Sequence, residues 1–188
     1  MLKNKRAKHN GMEFKVADTG LYAQILALYE QVILTLEQDG INIYWDLDTY
    51  PSREYFAKAI DQKRLYVAIE GGRVIGAAVL DQNQRPEYAS VPWGCRAGSD
   101  EVLVMHVLGI LPEARGRGVA RWMLERSIDV CRETGMRALL LDALSSNRPA
   151  CELYRRAGFR CVSEQVFCIP GAGDTDFEVF EYVISAEE

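Results

Sequence analysis

Hydrophobic and polar positions along the chain change period several times, and each change marks an element. Met12, Phe14 and Val16 alternate with Glu13 and Lys15, so residues 12–17 read as a first strand. Beyond Asp18, placed to cap a helix, Leu21, Ile25, Leu28, Val32 and Leu36 recur at three- and four-residue steps until Gly40 stops the pattern. An irregular aromatic stretch, INIYWDLDTYP, follows, and Pro51 and Ser52 open a second short helix to about residue 62. RLYVAIE and RVIGAAVLD flank Gly71-Gly72 and predict a hairpin. Residues 82–100, interrupted by Gly, Pro, Ser and Asn, predict a long irregular excursion. EVLVMHVLGILP, residues 101–112, is nearly continuously apolar and predicts a central strand covered on both faces.

A helix over 117–134 follows, with Ala120, Met123, Leu124, Ser127, Ile128 and Cys131 along one stripe and Gly135 as its stop. RALLLDAL is a buried strand. SSNRPACELYRRAGF is a helix with Ala150, Leu153, Tyr154 and Ala157 on one face, and Gly158 ends it. FRCVSEQVF and DTDFEVFEYVI close the chain as two strands around IPGAGD. The order β-α-α-β-β-β-α-β-α-β-β describes one mixed α/β domain.

Composition narrows the class. The chain has 188 residues, which fits one domain, and 22 Lys and Arg against 27 Asp and Glu leave a net charge of −5. Such a balance argues against nucleic acid as a partner held by bulk charge. Five cysteines with no C-x-x-C, and two histidines, His9 and His106, give no metal-binding pattern, so no metal is expected. Reduced thiols fit a cytoplasmic protein. No apolar run reaches the roughly 18 residues that a membrane span needs, so no membrane partner is expected. MLKNKRAKHNG is basic and lacks the apolar core of a secretory signal. Residues 1–11 therefore read as a disordered basic extension, with the folded domain over 12–188.

The chemistry concentrates in EARGRGVARWMLE, residues 113–125. A strand leads into a glycine-rich turn and then a helix, which gathers free backbone N–H groups and the positive end of a helix dipole at one point. That is a ready anion site, and glycine lets the backbone approach phosphate oxygens. A solvated basic turn is the plainer alternative. The pattern G-x-x-x-x-G-K-[ST] of nucleotide-binding P-loops is absent, and the dinucleotide pattern fails because Arg121, not Gly, follows Gly116 and Gly118 at the third place.

The loop resembles that of the GNAT superfamily of acyl-CoA-dependent N-acyltransferases, [QR]-x-x-G-x-[GA], in its run Arg115-Gly116-Arg117-Gly118-Val119-Ala120. LGILP before it is similar to the family's L-x-V-x-P, with Ile110 in the Val place, and NRPACELYRRAGF after it to N-x-x-A-x-x-L-Y-x-x-x-G-F. The resemblance runs from about residue 64 to 160. It implies the GNAT fold, a mixed and largely antiparallel central sheet with flanking helices, and acetyl-CoA as co-substrate. It implies that Arg115, Gly116, Arg117, Gly118, Val119 and Ala120 hold the pyrophosphate, chiefly through the main chain. Leu108 and Ile110 would offer backbone groups to the pantetheine arm and acyl carbonyl, and Asn147 would contact CoA near the pantetheine. Asn147 reads equally as an N-cap, and Leu108 and Ile110 as core.

The resemblance also implies two catalytic residues. Tyr154 matches the tyrosine that protonates the leaving thiolate, while its helical spacing also suits a core tyrosine. His106 stands where some family members carry a base; an imidazole there could take the ammonium proton, or it is a hydrogen-bonded core histidine. Strand alternation puts it on one face with Val104, Leu108 and Ile110. The implied function is transfer of an acetyl group to a primary amine of a small molecule or peptide. A non-catalytic acyl-CoA sensor on the same fold is the alternative. Trp45, Tyr50 and Trp93 are candidates for an acceptor pocket, with Asp46 and Asp48 able to attract an amine. An exposed edge on the last hairpin offers a route to a homodimer.

Overall fold

The changes of period coincide with element boundaries in the computed structural model, which describes residues 7–9 and 11–184. The strands are β1 Ala7–His9, β2 Met12–Val16, β3 Leu65–Glu70, β4 Arg73–Asp81, β5 Val102–Ile110, β6 Ala138–Leu144, β7 Arg160–Ile169 and β8 Gly173–Val183. The helices are α1 Tyr22–Gln38, α2 Arg53–Asp61, α3 Val119–Thr134 and α4 Arg148–Arg156. The α/β class and the element order follow the periodicity reading. No helix among the described residues is long and apolar enough to cross a membrane.

The N-terminal segment differs from expectation. Residues 7–9, assigned to a disordered extension, form β1 and pair antiparallel with β2, Ala7 opposite Phe14 and His9 opposite Met12. Without them β2 would present a row of unpaired backbone groups. The rest of that expectation, residues 1–6 and 10, lies outside the described residues.

Contacts divide the chain into two units, one running through Leu80 and resuming over His106–Arg126, the other Asp81–Met105 with Ser127 onward. In the first unit the strand order is β1-β2-β3-β4-β5, and β3 and β4 form the hairpin predicted around Gly71-Gly72, with Glu70 opposite Arg73. Asp18 caps a single 3₁₀ turn, Thr19–Leu21, accepting from the Gly20 N–H at 3.0 Å before α1 begins. Ser52 caps α2 by accepting from the Tyr55 N–H at 3.1 Å. α1 buries Ile25, Leu28, Tyr29 and Val32. Phe56 of α2 stacks on Tyr29 with ring centres 4.2 Å apart. Each such burial is worth about 1.5–3 kcal/mol, so the apolar stripe rather than helix propensity holds α1 in place.

In the second unit the order is β5-β6-β8-β7. β6 runs antiparallel to β8 from Ala138–Val183 to Leu144–Phe177 and pairs in parallel with β5 over Val102–Val104 against Ala138–Leu140. β8 carries two buried carboxylates, Glu178 and Glu181. Burying a charge is costly unless it is paired. Glu181 accepts from Arg160 Nε at 3.0 Å and from the Gly94 N–H at 2.9 Å, which ties the irregular 82–100 excursion to the sheet. Glu178 pairs with Arg155 of α4.

Candidate functional site

Between β5 and α3 the chain makes a 3₁₀ turn, Pro112–Ala114, and then the glycine-rich loop. Gly116 and Gly118 have φ of +72° and +81°, values that side-chain-bearing residues rarely adopt. The Arg115 N–H is spent on Pro112 O at 3.1 Å, and helical bonding resumes with Trp122 N–H to Gly118 O at 3.0 Å. Among the described residues, the N–H groups of Gly116, Arg117, Gly118, Val119, Ala120 and Arg121 donate to no protein acceptor. They sit at the start of the 16-residue helix α3, where the dipole is positive. Arg117, Gly118 and Arg121 line an open hollow of about 400 Å³ with Met12, Glu70, Trp122 and Glu125. The arginine side chains are otherwise engaged: Arg117 donates to both oxygens of Glu70 at 2.7 and 2.8 Å, Arg121 to Glu125 at 3.1 Å, and Arg115 reaches Asp39 at 3.4 Å. The main chain is what the loop leaves open, a fit for a diphosphate.

β5 carries an irregularity that the sequence does not announce. Val107 has φ +50°, and burial loses its alternation ahead of it: Val104 and Met105 are buried in succession, while His106, Leu108 and Ile110 are half-buried. His106, Leu108 and Ile110 share one degree of burial and Val104 has another, so the expected common face holds for the first three. The keeper of the Val107 kink is Tyr29, fully buried on α1, whose hydroxyl lies 2.6 Å from Val107 O and 3.3 Å from Ala77 O. Burial holds that phenol well above its ordinary 10.0. Gly109 permits the contact, since a Cβ there would meet Tyr29 Cε1 at 3.0 Å.

The second unit holds Asn147 and Tyr154. Asn147 caps α4, its side chain accepting from the Ala150 N–H at 3.3 Å. Tyr154 is buried between Phe180 and Phe159, with ring centres 5.4 and 6.1 Å away. Burial, and then the Asp142 carboxylate and Cys151, raise its pKa above 10.0, so its hydroxyl stays protonated. Burial pushes the Cys151 thiol up to about 11 and the Cys131 thiol up to about 12, which leaves neither as a ready thiolate.

Comparison with known proteins places this architecture. A model of the Acetyltransferase (GNAT) family matches residues 28–159, more than half of the chain. The chain belongs to the GNAT acetyltransferase family. Among curated relatives, a mycothiol acetyltransferase from Pseudarthrobacter chlorophenolicus is 36% identical over 89 residues, which are 47% of this GNAT chain and 24% of that protein. The match thus spans about a quarter of the relative's length. A GNAT acetyltransferase structure from Streptococcus agalactiae superposes with a TM-score of 0.78 at 19% identity, covering 95% of this chain and 99% of that one. Arabidopsis thaliana NAA60, solved in complex with acetyl-CoA, gives 0.66 at 18% identity over 92% and 99%. The two structures show a shared fold.

In this GNAT chain the predicted site residues divide between the units. His106, Leu108, Ile110, the loop from Arg115 to Ala120, Trp45 and Tyr50 belong to the first; Tyr154, Asn147 and Trp93 belong to the second. Trp45 meets Tyr29 edge-on at 5.8 Å, and Tyr50 is exposed against Tyr55. Trp93 packs on buried Tyr88 at 5.1 Å and donates its indole N–H to Tyr88 O at 3.0 Å. Asp46 accepts from the Asp48 N–H at 2.6 Å, and Asp48 lies 3.7 Å from Arg53, so local turn and ion-pair contacts occupy both carboxylates. Sequence reading missed Tyr29 and Asp142. Tyr29 hid in the apolar stripe of α1. Asp142 carried one signal, a lone carboxylate inside the apolar run ALLLDAL.

Proposed function

We propose that this chain is an acetyl-CoA-dependent N-acyltransferase that moves an acetyl group directly to a primary amine of a small molecule or peptide. The observation that carries the reading is the unbroken run of open backbone N–H groups from Gly116 to Arg121 at the start of α3. Main-chain donors at a helix start suit a diphosphate, and CoA carries one. The names of the relatives and the acetyl-CoA complex of NAA60 support the same donor.

The donor supplies an activated acetyl thioester. The half-buried β5 backbone at Leu108 and Ile110 would orient its arm, and an N–H near Ile110 would face the developing oxyanion. His106 would take the ammonium proton, freeing the nitrogen lone pair to form the N–C bond. As the C–S bond breaks, the thiolate would take the Tyr154 proton, and the second proton lost by the nitrogen as the amide forms would return through solvent to the phenolate. Burial keeps Tyr154 protonated, and so able to donate, while the thiolate forms. The raised thiols of Cys131 and Cys151 disfavour a route through an acyl-cysteine.

Isothermal titration with acetyl-CoA and CoA, joined to a thiol-release assay over a panel of amines, tests the proposal. Wild type should bind both nucleotides, and Tyr154→Phe should lose kcat by about 10-fold or more with little change in affinity. Absence of binding at millimolar acetyl-CoA overturns the reading.

A further inference from the structure

Each arginine in and after the glycine-rich loop stands against a carboxylate. Arg115 reaches Asp39 at the end of α1, Arg117 reaches Glu70 at the end of β3, and Arg121 reaches Glu125 one turn along its own helix. An anion approaching the loop therefore meets cations whose charge is already answered.

The Arg117 pair differs from the other two. Arg117 sits between the two glycines, and its main-chain N–H is one of the open donors. Its side chain spends a single nitrogen: Nη2 donates to both Glu70 oxygens, at 2.7 and 2.8 Å. Among the described residues, Nη1 and Nε donate to no protein group. Both partners line the open hollow beside Gly118, so the guanidinium has room to turn. Glu70 is held in place by its hairpin. It lies opposite Arg73, and Arg73 pairs with Glu113 of the 3₁₀ turn that leads into the loop. The end of the hairpin is thus fastened to the loop region at two points, and Glu70 stands as a fixed counter-charge beside it.

Magnitudes decide how this pair responds to an anion. The Arg117 and Glu70 side chains are 48% and 33% exposed, and an ion pair so exposed holds weakly. A diphosphate brings more negative charge than one carboxylate, and its oxygens suit the guanidinium fork. The fork can therefore leave Glu70 for the ligand at little cost and return to it afterwards.

We infer that Glu70 is a built-in competitor for the donor site. Arg117 exchanges between Glu70 and the diphosphate of CoA, so Glu70 weakens the binding of acetyl-CoA and CoA alike and eases departure of the product. The inference rests on the acetyltransferase reading and adds a control on affinity to that same site.

The experiment is calorimetric titration of acetyl-CoA and CoA into wild type, Glu70→Gln, Arg117→Gln and the double variant. Glu70→Gln keeps the shape and removes the charge. It should bind both ligands about three- to fivefold more tightly at low salt. The gain should shrink to less than about 1.5-fold near 1 M salt, where charges are screened within about 3 Å. Arg117→Gln should weaken both ligands by about fivefold. In that background Glu70→Gln should change affinity by less than about 1.5-fold, because Glu70 acts through Arg117. Unchanged or weaker binding in Glu70→Gln overturns the inference while leaving the donor reading intact. So does an equal gain with and without Arg117, which marks plain repulsion rather than exchange. Failure of wild type to bind acetyl-CoA overturns the donor reading, and this inference with it.

Discussion

At Gly118 a single residue meets two demands. Its φ of +81° is one that a side chain resists, and its N–H is one of the open donors of the loop. A Cβ built there meets nothing within 4 Å, so the need for glycine is conformational rather than steric. The cost of a non-glycine residue in this conformation is about 1–2 kcal/mol, small enough for the fold to survive. Gly118→Asp adds a negative charge where the diphosphate would sit. Its acetyl-CoA affinity should drop by about 100-fold or more while Gly118→Ala loses far less, since the charge adds repulsion to a strain that both variants share. Calorimetry on the two variants, with a melting curve for each, separates loss of the site from loss of the fold. Unchanged affinity in Gly118→Asp removes the loop from the site.

Among the elements, β5 depends on α1 for its shape. Tyr29→Phe keeps the ring packed on Phe56 but leaves Val107 O without its 2.6 Å partner. The expected cost is about 1–3 kcal/mol in urea unfolding, with weaker acetyl-CoA binding because Leu108 and Ile110 follow the kink. If stability and affinity both stay put, the hydroxyl does not hold the strand. This pair also shows where sequence reading stops. The loop from Arg115 to Ala120, α3 and the β3–β4 hairpin were legible because local spacing dictates them. The kink at Val107 was not, because it is imposed by a tyrosine far away in the chain that reads as one more apolar position. Asp142 gave only the signal of a lone carboxylate in ALLLDAL, since its bond from the Tyr88 hydroxyl forms only once β6 and the 82–100 excursion are folded. The strand at Ala7–His9 was missed for the opposite reason. Lys8 and its neighbours look like a solvated tail, and only the open edge of β2 gives them a partner.

For the whole molecule, the buried acids set the alkaline limit. Cys131, Cys151, Tyr154 and Tyr29 all titrate higher in the folded chain than they would unfolded. A raised folded value means that the unfolded chain loses these protons first. Stability is therefore fully present below the ordinary thiol value of 9.0 and falls as pH rises above it. Each group contributes a slope of about 1.4 kcal/mol per pH unit between its two values. Urea midpoints measured from pH 8 to 10.5 should drop steadily, and replacing Cys131 with Ala should flatten the early part of the decline; a flat wild-type profile contradicts it. The loop has its own signature on the scale of the chain. Amides with no acceptor exchange with deuterated water almost as they would in an unfolded peptide. The ligand-free protein should show a short fast-exchanging window from Gly116 to Arg121, directly ahead of the slow amides of α3. Saturating acetyl-CoA should close that window, so the binding site would be read from a deuterium map before any acceptor is known.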